Sequence, residues 1–385
     1  MNPYGDVKHL GSCAQGECTD RATRYDAVRH YGYLDGVRGA AVLLVIFSHT
    51  SNEKAHVIPG LSLSGAGKLG VWLFFTLSAF LLCARLIDMF RLDRPGWRVI
   101  ASYGAGRVAR IFPLYIVVIL VYWFFGRVEA GEVAPHLLLL EGKSIFWAIP
   151  VEFKFYALLP LIAYALSRLS PAPATMAVLV LFVNVLLTVM FPLKDYPPNT
   201  LSFLPYVSIF LWGVLAAHCA QAGILKPPRR MSSIILIICL VLTLPTAGNF
   251  VLLILGGAAL PASEFHFLGP LQGLLSSLLI LHGLTVPWLR RGFENRVVMY
   301  TGKISFSMYL WHILLLEKAL QATWLPLGLK GIATLTVSFI LSVATYALIE
   351  KPGISFGHRL GARILAGGEV VKPEMARAAP GPEPS

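Results

Sequence analysis

Apolar runs of about twenty residues recur along the whole chain, and this recurrence constrains the fold more than any other feature. Roughly 20 apolar residues in helix cross the hydrocarbon core of a bilayer, and a helix satisfies its own backbone polar groups there. Candidate spans lie near residues 36–55, 67–87, 109–125, 146–167, 174–192, 203–221, 232–248, 269–289, 304–322 and 330–350. They predict an all-α, polytopic integral membrane bundle of about ten transmembrane helices. The stretch 249–261, NFVLLILGGAALP, is shorter and is expected to be re-entrant or interfacial. Composition agrees: 56% of the 385 residues are hydrophobic and 14% charged, with a mean hydropathy of +0.68, outside the range of soluble domains.

The formal charge of +12 does not point to nucleic acid, because the basic residues sit in short loops between apolar runs. By the positive-inside rule, Arg85, Arg91, Arg94, Arg98, Arg107 and Arg110 place their segment on the cytoplasmic side. Ten spans then bring Lys226, Arg229 and Arg230, the cluster from Arg290 to Lys303, and both termini to that same side of a cytoplasmic (inner) membrane. The expected organisation is a cytoplasmic tail over 1–32, a membrane domain over 33–352 and a cytoplasmic tail over 353–385. The stretch 353–385 is expected to be disordered, most clearly from about Gly367, where Pro, Ala, Gly and Glu dominate. The polar first thirty residues do not resemble a cleavable signal peptide. Cys13, Cys18, Cys83, Cys219 and Cys239 form no paired array, and no histidine stands at metal-ligand spacing, so neither zinc nor a disulfide framework is expected.

Chemistry is expected where polar side chains interrupt the apolar runs. Arg38 and His49 are eleven residues apart, which on a helix brings both to one face about 16 Å apart along the axis, with Arg38 at the rim and His49 near mid-membrane. A snorkelling arginine and a packed histidine are the bland alternative. Such a pair suits a long anionic acyl-CoA, its phosphates at the arginine and its thioester near a general base. Ser78 falls halfway along WLFFTLSAFLL, where helix packing explains it equally well. In RVARIFPLY, Arg107 and Arg110 read either as a topology signal or as an anion site, with Pro113 expected in the first turn. Glu152 and Lys154 lie inside an apolar run near the outer side, as an ion pair or as a carboxylate facing a histidine or an acceptor hydroxyl. Ser305, Tyr309 and His312 share one helical face, and Glu350 is expected to pair with Lys351 at the cytoplasmic rim.

Taken in order, these motifs resemble the acyltransferase-3 family of membrane acyltransferases, from Tyr33 to Pro352. The opening segment carries Leu34, Asp35, Gly36, Arg38, Gly39 and His49. FF-x-x-S-x-F is met by Phe74, Phe75, Ser78 and Phe80, and R-x-x-R-I-x-P by Arg107, Arg110, Ile111 and Pro113. Trp147 and Glu152, with Phe155 and Tyr156, follow; then Ser305, Tyr309, Leu310 and His312; then Glu350, Lys351 and Pro352. Ala79, Pro150 and Lys154 depart from the family pattern. The resemblance implies acyl-CoA, often acetyl-CoA, as cytoplasmic donor and a hydroxyl of a carbohydrate or glycolipid as acceptor, without a fused SGNH hydrolase-like domain. It implies His49 and Glu152 as catalytic residues, with His49 as general base or transient acyl carrier. Arg38, Arg107 and Arg110 would bind the donor, and Ser78, Trp147, Tyr309 and His312 would contact substrate, with no metal.

A transporter or lipid flippase would also place charges inside a polytopic bundle, and a non-catalytic scaffold is the second rival. Neither accounts for the ordered motifs; oligomeric state is left open by the sequence. The topology has a direct test: a cysteine introduced beside Arg291 should stay unlabelled by an impermeant thiol reagent in intact cells. Labelling from outside would overturn the ten-span arrangement.

Overall fold

The computed structural model describes residues 32–92, 95–223, 230–255, 258 and 268–367, and all regular structure among them is helical. In chain order the helices are α1 (Gly32–Asn52), α2 (Gly67–Arg91), α3 (Gly96–Phe124), α4 (Ala130–Leu137), α5 (Ala148–Leu169), α6 (Pro173–Met190), α7 (Leu204–Gln221), α8 (Arg230–Leu242), α9 (Pro245–Ile254), α10 (Gly269–Thr285), α11 (Pro287–Phe293), α12 (Arg296–Lys303), α13 (Ser305–Gln321), α14 (Leu327–Thr345) and α15 (Lys351–Ala366). A 3-10 turn, Ser144–Trp147, leads into α5, and a π turn, Tyr346–Glu350, joins α14 to α15.

Six of these helical stretches are long and apolar enough to cross a bilayer, or eight if each of two bent pairs counts as one crossing. The expected number of about ten is not confirmed among the described residues, for reasons of length and polarity. α13 has 17 residues, and in α1 the polar Asp35, Arg38 and His49 dilute the apolar run. The bent pairs are α8–α9, which turns through 91°, and α10–α11, which turns through 107°. Of the stretch expected not to span, residues 249–254 belong to α9 beyond the first bend, and 256, 257 and 259–261 lie outside the described residues.

The helices sort by how much lipid they meet. α2, apolar on every side from Leu69 to Ala84, is the central helix, packed against α1, α5, α7 and α10. α6 turns Val178, Leu181, Phe182 and Val185 outward, as a helix solvated by lipid must. α1 and α2 run antiparallel. The first turn of α2 lies beside Ser48 and His49, and Gly70 lies against Ala41 and Val45. Thus one end of the bundle carries the start of α1 with Arg38, and the other carries His49 and the start of α2.

Backbone contact holds the Arg38 end. α12 lies on the first half of α1 so closely that a side chain at Gly302 would overlap the Asp35 carbonyl, and one at Gly39 would overlap the Val298 carbonyl. Without Cβ atoms the two helices approach to van der Waals contact of their main chains. This packing carries Arg290, Arg291, Arg296 and Lys303, on α11 and α12, to the same end as Arg38.

Two boundaries differ from expectation. α3 begins at Gly96, well before residue 109, so Pro113, Arg107 and Arg110 sit in its interior instead of its first turn. The helix after Thr345 does not stop at 352 either. It continues through the π turn into α15, which packs along the first half of α3, with Gly353 and Gly357 against Ala109 and Gly361 against Ser102. Residues 353–366 are therefore helical and docked, where a disordered tail was expected; 1–31 and 368–385 lie outside the described residues. Small residues on both helices permit this pairing, and its partner surface 250 residues away is invisible to a local reading of composition.

Gly302→Val should lower the monodisperse, detergent-stable yield several-fold, because overpacking typically costs about 1–3 kcal/mol and here the obstacle is backbone. Gly292→Ala, whose added Cβ meets nothing within 4 Å, is the control expected to keep normal yield in size-exclusion profiles.

Candidate active site

His49 occupies the last turn of α1, level with the first turn of α2, so it lies nearer the helix end than the mid-membrane position expected of it. Its Nε2 would be 3.9 Å from a Cβ at Gly67. His312 comes from the middle of α13, and the two imidazole centroids are 5.2 Å apart at 47°. His312 is fully buried, and its Nδ1–H donates to the Tyr309 carbonyl at 2.7 Å. That bond fixes the tautomer and leaves the Nε2 lone pair with no protein partner.

Two tyrosines hold the turn that carries His312. The Tyr122 hydroxyl of α3 donates to the Leu310 carbonyl and accepts from the Leu314 N–H, both at 3.1 Å, so it is inserted into the turn that carries the histidine. The Tyr309 hydroxyl donates to the Ile145 carbonyl at 2.7 Å, tying α13 to the 3-10 turn before α5. Trp147 ends that turn, buried among Trp72, Phe75 and Tyr206. The turn itself is braced by the Lys143 N–H, which donates to His136 Nε2 at 3.3 Å. Tyr115 donates to the His136 carbonyl at 3.0 Å.

From this histidine pair a line of polar groups runs through the bundle. Glu152 on α5 accepts a short hydrogen bond from the Tyr156 hydroxyl, and its charge also reaches Tyr309 and Tyr103. Tyr103 and Tyr156 have ring centroids 6.4 Å apart, and the Arg107 charge acts on both. Arg107, Arg110 and Arg38 in turn lie within reach of one another's charge. Two carboxylates act on the three arginines: Asp35 is 3.5 Å from Arg38, and the Glu350 carboxylate is within reach of the charges of Arg38 and Arg110, while no described acidic group pairs with Arg107 or Arg110 within 4 Å. The Arg107 Nε is buried without a hydrogen-bond partner. A half-buried group of three arginines, facing two carboxylates, keeps a net positive charge and is a donor set that suits an anionic ligand.

Several expected site residues therefore converge, though not always on the expected partner. Arg38, Arg107 and Arg110 form one group; His49, His312, Tyr309 and Trp147 form the other, and Glu152 stands between. Glu152 hydrogen-bonds Tyr156 and no histidine among the described residues. Lys154 is exposed and donates to the Leu201 carbonyl at 2.6 Å, so it does not pair with Glu152. Ser78 is half-buried in α2, with no hydrogen bond to its hydroxyl among the described residues. Glu350 departs most: it turns away from Lys351 and is 1% exposed, accepting from Ser307 at 3.0 Å beneath the charges of Arg38 and Arg110. The π turn provides this reorientation, because one extra residue in the turn rotates the carboxylate inward.

Lys68 and Tyr103 escaped the sequence reading altogether. Tyr103 lies four residues before Arg107 on the same face of α3, a spacing that could have drawn attention to it. Lys68 stands in the first turn of α2, where a lysine reads as a boundary residue. Its ammonium lies over the Trp147 ring at 4.0 Å and the Trp72 ring at 5.5 Å, and it donates to Asn199 Oδ1 at 2.6 Å.

Comparison with known proteins bears on what these groups do. A family model described as an acyltransferase domain matches residues 31–349. The chain is 26% identical over 309 residues to a protein of Acidianus two-tailed virus named "Putative acetyltransferase ORF330", covering 76% of this chain and 85% of the viral one. It is 24% identical over 375 residues to "Acyltransferase MdmB" of Streptomyces mycarofaciens, covering 83% and 90%. A Staphylococcus aureus (strain COL) protein named a "Putative O-acetyltransferase" is 23% identical over 330 residues, which are 75% of this chain but 51% of that one. The chain thus spans about half the length of that relative. No solved structure matches. With its half-buried arginines and histidine pair inside a bundle of apolar helices, and a family match over nearly all of them, this integral membrane protein belongs to the acyltransferase-3 family.

Proposed function

We propose that the protein transfers an acyl group, acetyl in the first instance, from cytoplasmic acyl-CoA to a hydroxyl of a carbohydrate or glycolipid acceptor. The observation that carries this reading is the polar line from the Arg38–Arg107–Arg110 group to the His49–His312 pair, about 16 Å away along α1. A donor with phosphates at one end and a thioester at the other matches those two groups in order. The Arg38 end then faces the cytoplasm of a cytoplasmic membrane, as the gathering of basic residues there suggests. The relatives named as acetyltransferases favour an acetyl donor.

His49 acts as general base. Its nitrogens make no hydrogen bond to protein among the described residues, so a lone pair is open to an acceptor hydroxyl. The hydroxyl oxygen attacks the thioester carbonyl carbon as its proton passes to His49. The tetrahedral intermediate then expels the CoA sulfur, which takes that proton, leaving an ester and free CoA. His312, locked by Tyr122 and by its own Nδ1–H bond, is a positioning partner within ring contact of the base. Arg38, Arg107 and Arg110 hold donor phosphates, and the low dielectric around them strengthens each contact.

Two expectations follow. His49→Ala should insert and fold normally yet lose about 10²–10⁴-fold in acetyl transfer per folded molecule, while His312→Ala loses less. Near-normal transfer by His49→Ala would overturn the mechanism. Single alanine substitutions at Arg38, Arg107 and Arg110 should each weaken binding of a non-hydrolysable acetyl-CoA analogue in detergent; unchanged affinity in all three would remove the donor assignment. A transporter reading fails if the purified protein transfers acetyl from acetyl-CoA.

A further inference from the structure

The two ends of α3 carry exposed tryptophans, Trp97 and Trp123. At 1.5 Å per residue they stand about 39 Å apart along the axis, close to the thickness of a bilayer with its headgroups, and tryptophan gathers at both of those interfaces. Between them α3 turns Ile100, Val108, Ile116 and Leu120 outward, as contact with lipid chains demands. Gly96, at the start of α3, lies against Phe90 at the end of α2, so Trp97 marks the headgroup level at the Arg38 end.

α15 lies along that half of α3 in the opposite direction: Gly353 and Gly357 meet Ala109, Gly361 meets Ser102 and Gly367 meets Arg98. α3 is the main helix it packs against, so its far side faces away from the bundle. From the π turn onward the exposed side chains are first apolar, Leu348 and Phe356, and then basic, Arg359 and Arg363, which are four residues apart and share a face. The pairing with α3 sets both arginines between the levels of Ala109 and Arg98, on the lipid side of Trp97, where hydrocarbon chains give way to headgroups. No acidic group among the described residues comes within 4 Å of either guanidinium. An unneutralised charge at that depth is costly, and the anion the surroundings supply there is lipid phosphate.

We propose that the outward face of α15 is a binding surface for an anionic phospholipid of the leaflet at the Arg38 end, with the phosphate on Arg359 and Arg363 and the acyl chains over Phe356 and Leu348. Two guanidinium groups without a nearby carboxylate favour a headgroup of net negative charge over a zwitterionic one, whose own cation they repel. The surface is independent of the acyltransfer reading, since it uses none of the residues assigned to donor or acceptor. Pairing of these arginines with Glu369, Glu374 and Glu383, which follow α15 in the sequence and lie outside the described residues, is the competing explanation and predicts no lipid preference.

Native mass spectrometry of the full chain in a neutral detergent tests this directly. Titrated with dioleoylphosphatidylglycerol and, separately, with dioleoylphosphatidylcholine, which has the same chains, the wild type should bind the anionic lipid about tenfold tighter. Changing both Arg359→Gln and Arg363→Gln should abolish the preference, and Arg359→Lys with Arg363→Lys should keep most of it. Lys318→Gln, which removes an exposed charge at the opposite end of the bundle, should leave it unchanged. A non-hydrolysable acetyl-CoA analogue should not displace the lipid, because its phosphates belong at the separate Arg38 group. Equal binding of the two lipids by the wild type, a preference that survives the double glutamine variant, or displacement by the analogue overturns the surface. A preference that appears only when Glu369, Glu374 and Glu383 are all changed to glutamine also overturns it, in favour of pairing within the chain.

Discussion

The cost of keeping ionised and polar groups inside a lipid-solvated bundle governs the arrangement of this protein. Guanidinium, carboxylate and imidazole groups cannot turn to water at this depth, so each must find protein, ligand or one another. The result is a chain of handoffs in which tyrosines mediate between charges: Tyr156 and Tyr103 lie between Glu152 and Arg107, and Tyr309 lies between Glu152 and His312. That accounting leaves some buried polar atoms without a protein partner, Arg107 Nε and His312 Nε2 among them.

Rigid helix packing gives those atoms fixed positions. Gly39 and Gly302 bring α12 onto α1 at backbone distance, and Gly36 does the same for Phe293 at the end of α11, which sets Arg38 at one end of the bundle. The other end is set by α13, whose turn around His312 is pinned from α3 by one hydroxyl and from the 3-10 turn by another. Because Tyr122 belongs to the same helix as Arg107 and Arg110, α3 is the element that relates the two ends of the proposed site.

Much of the site was legible in single segments, and the reason is helical geometry. Eleven residues return nearly to the same face, so Arg38 and His49 could be paired without knowing any other helix. Arg107 and Arg110 could be recognised as a local pair, and Tyr309 and His312 as one face of α13. Boundaries were less legible. Pro113 suggested a helix start, but in a membrane bundle a proline is tolerated inside a helix when neighbours re-satisfy the freed carbonyl. Similarly, EKP at Glu350 to Pro352 reads as a helix end, whereas the π turn absorbs the proline and the helix proceeds to Ala366.

By itself the sequence determined the solvent, the helical class, the identity of the family and the residues along each helix that carry charge, because these follow from apolar run length and the period of the α-helix. Tertiary structure alone decided that His312 meets His49, that Glu350 turns to Ser307 and away from Lys351, and that Lys68 rests on Trp147 and Asn199. Each of those pairs joins residues far apart in the chain, 263 positions in the case of the histidines. Their meeting depends on which helix faces touch, which small residues allow close approach, and where a turn gains one residue, and none of these is a property of any one segment.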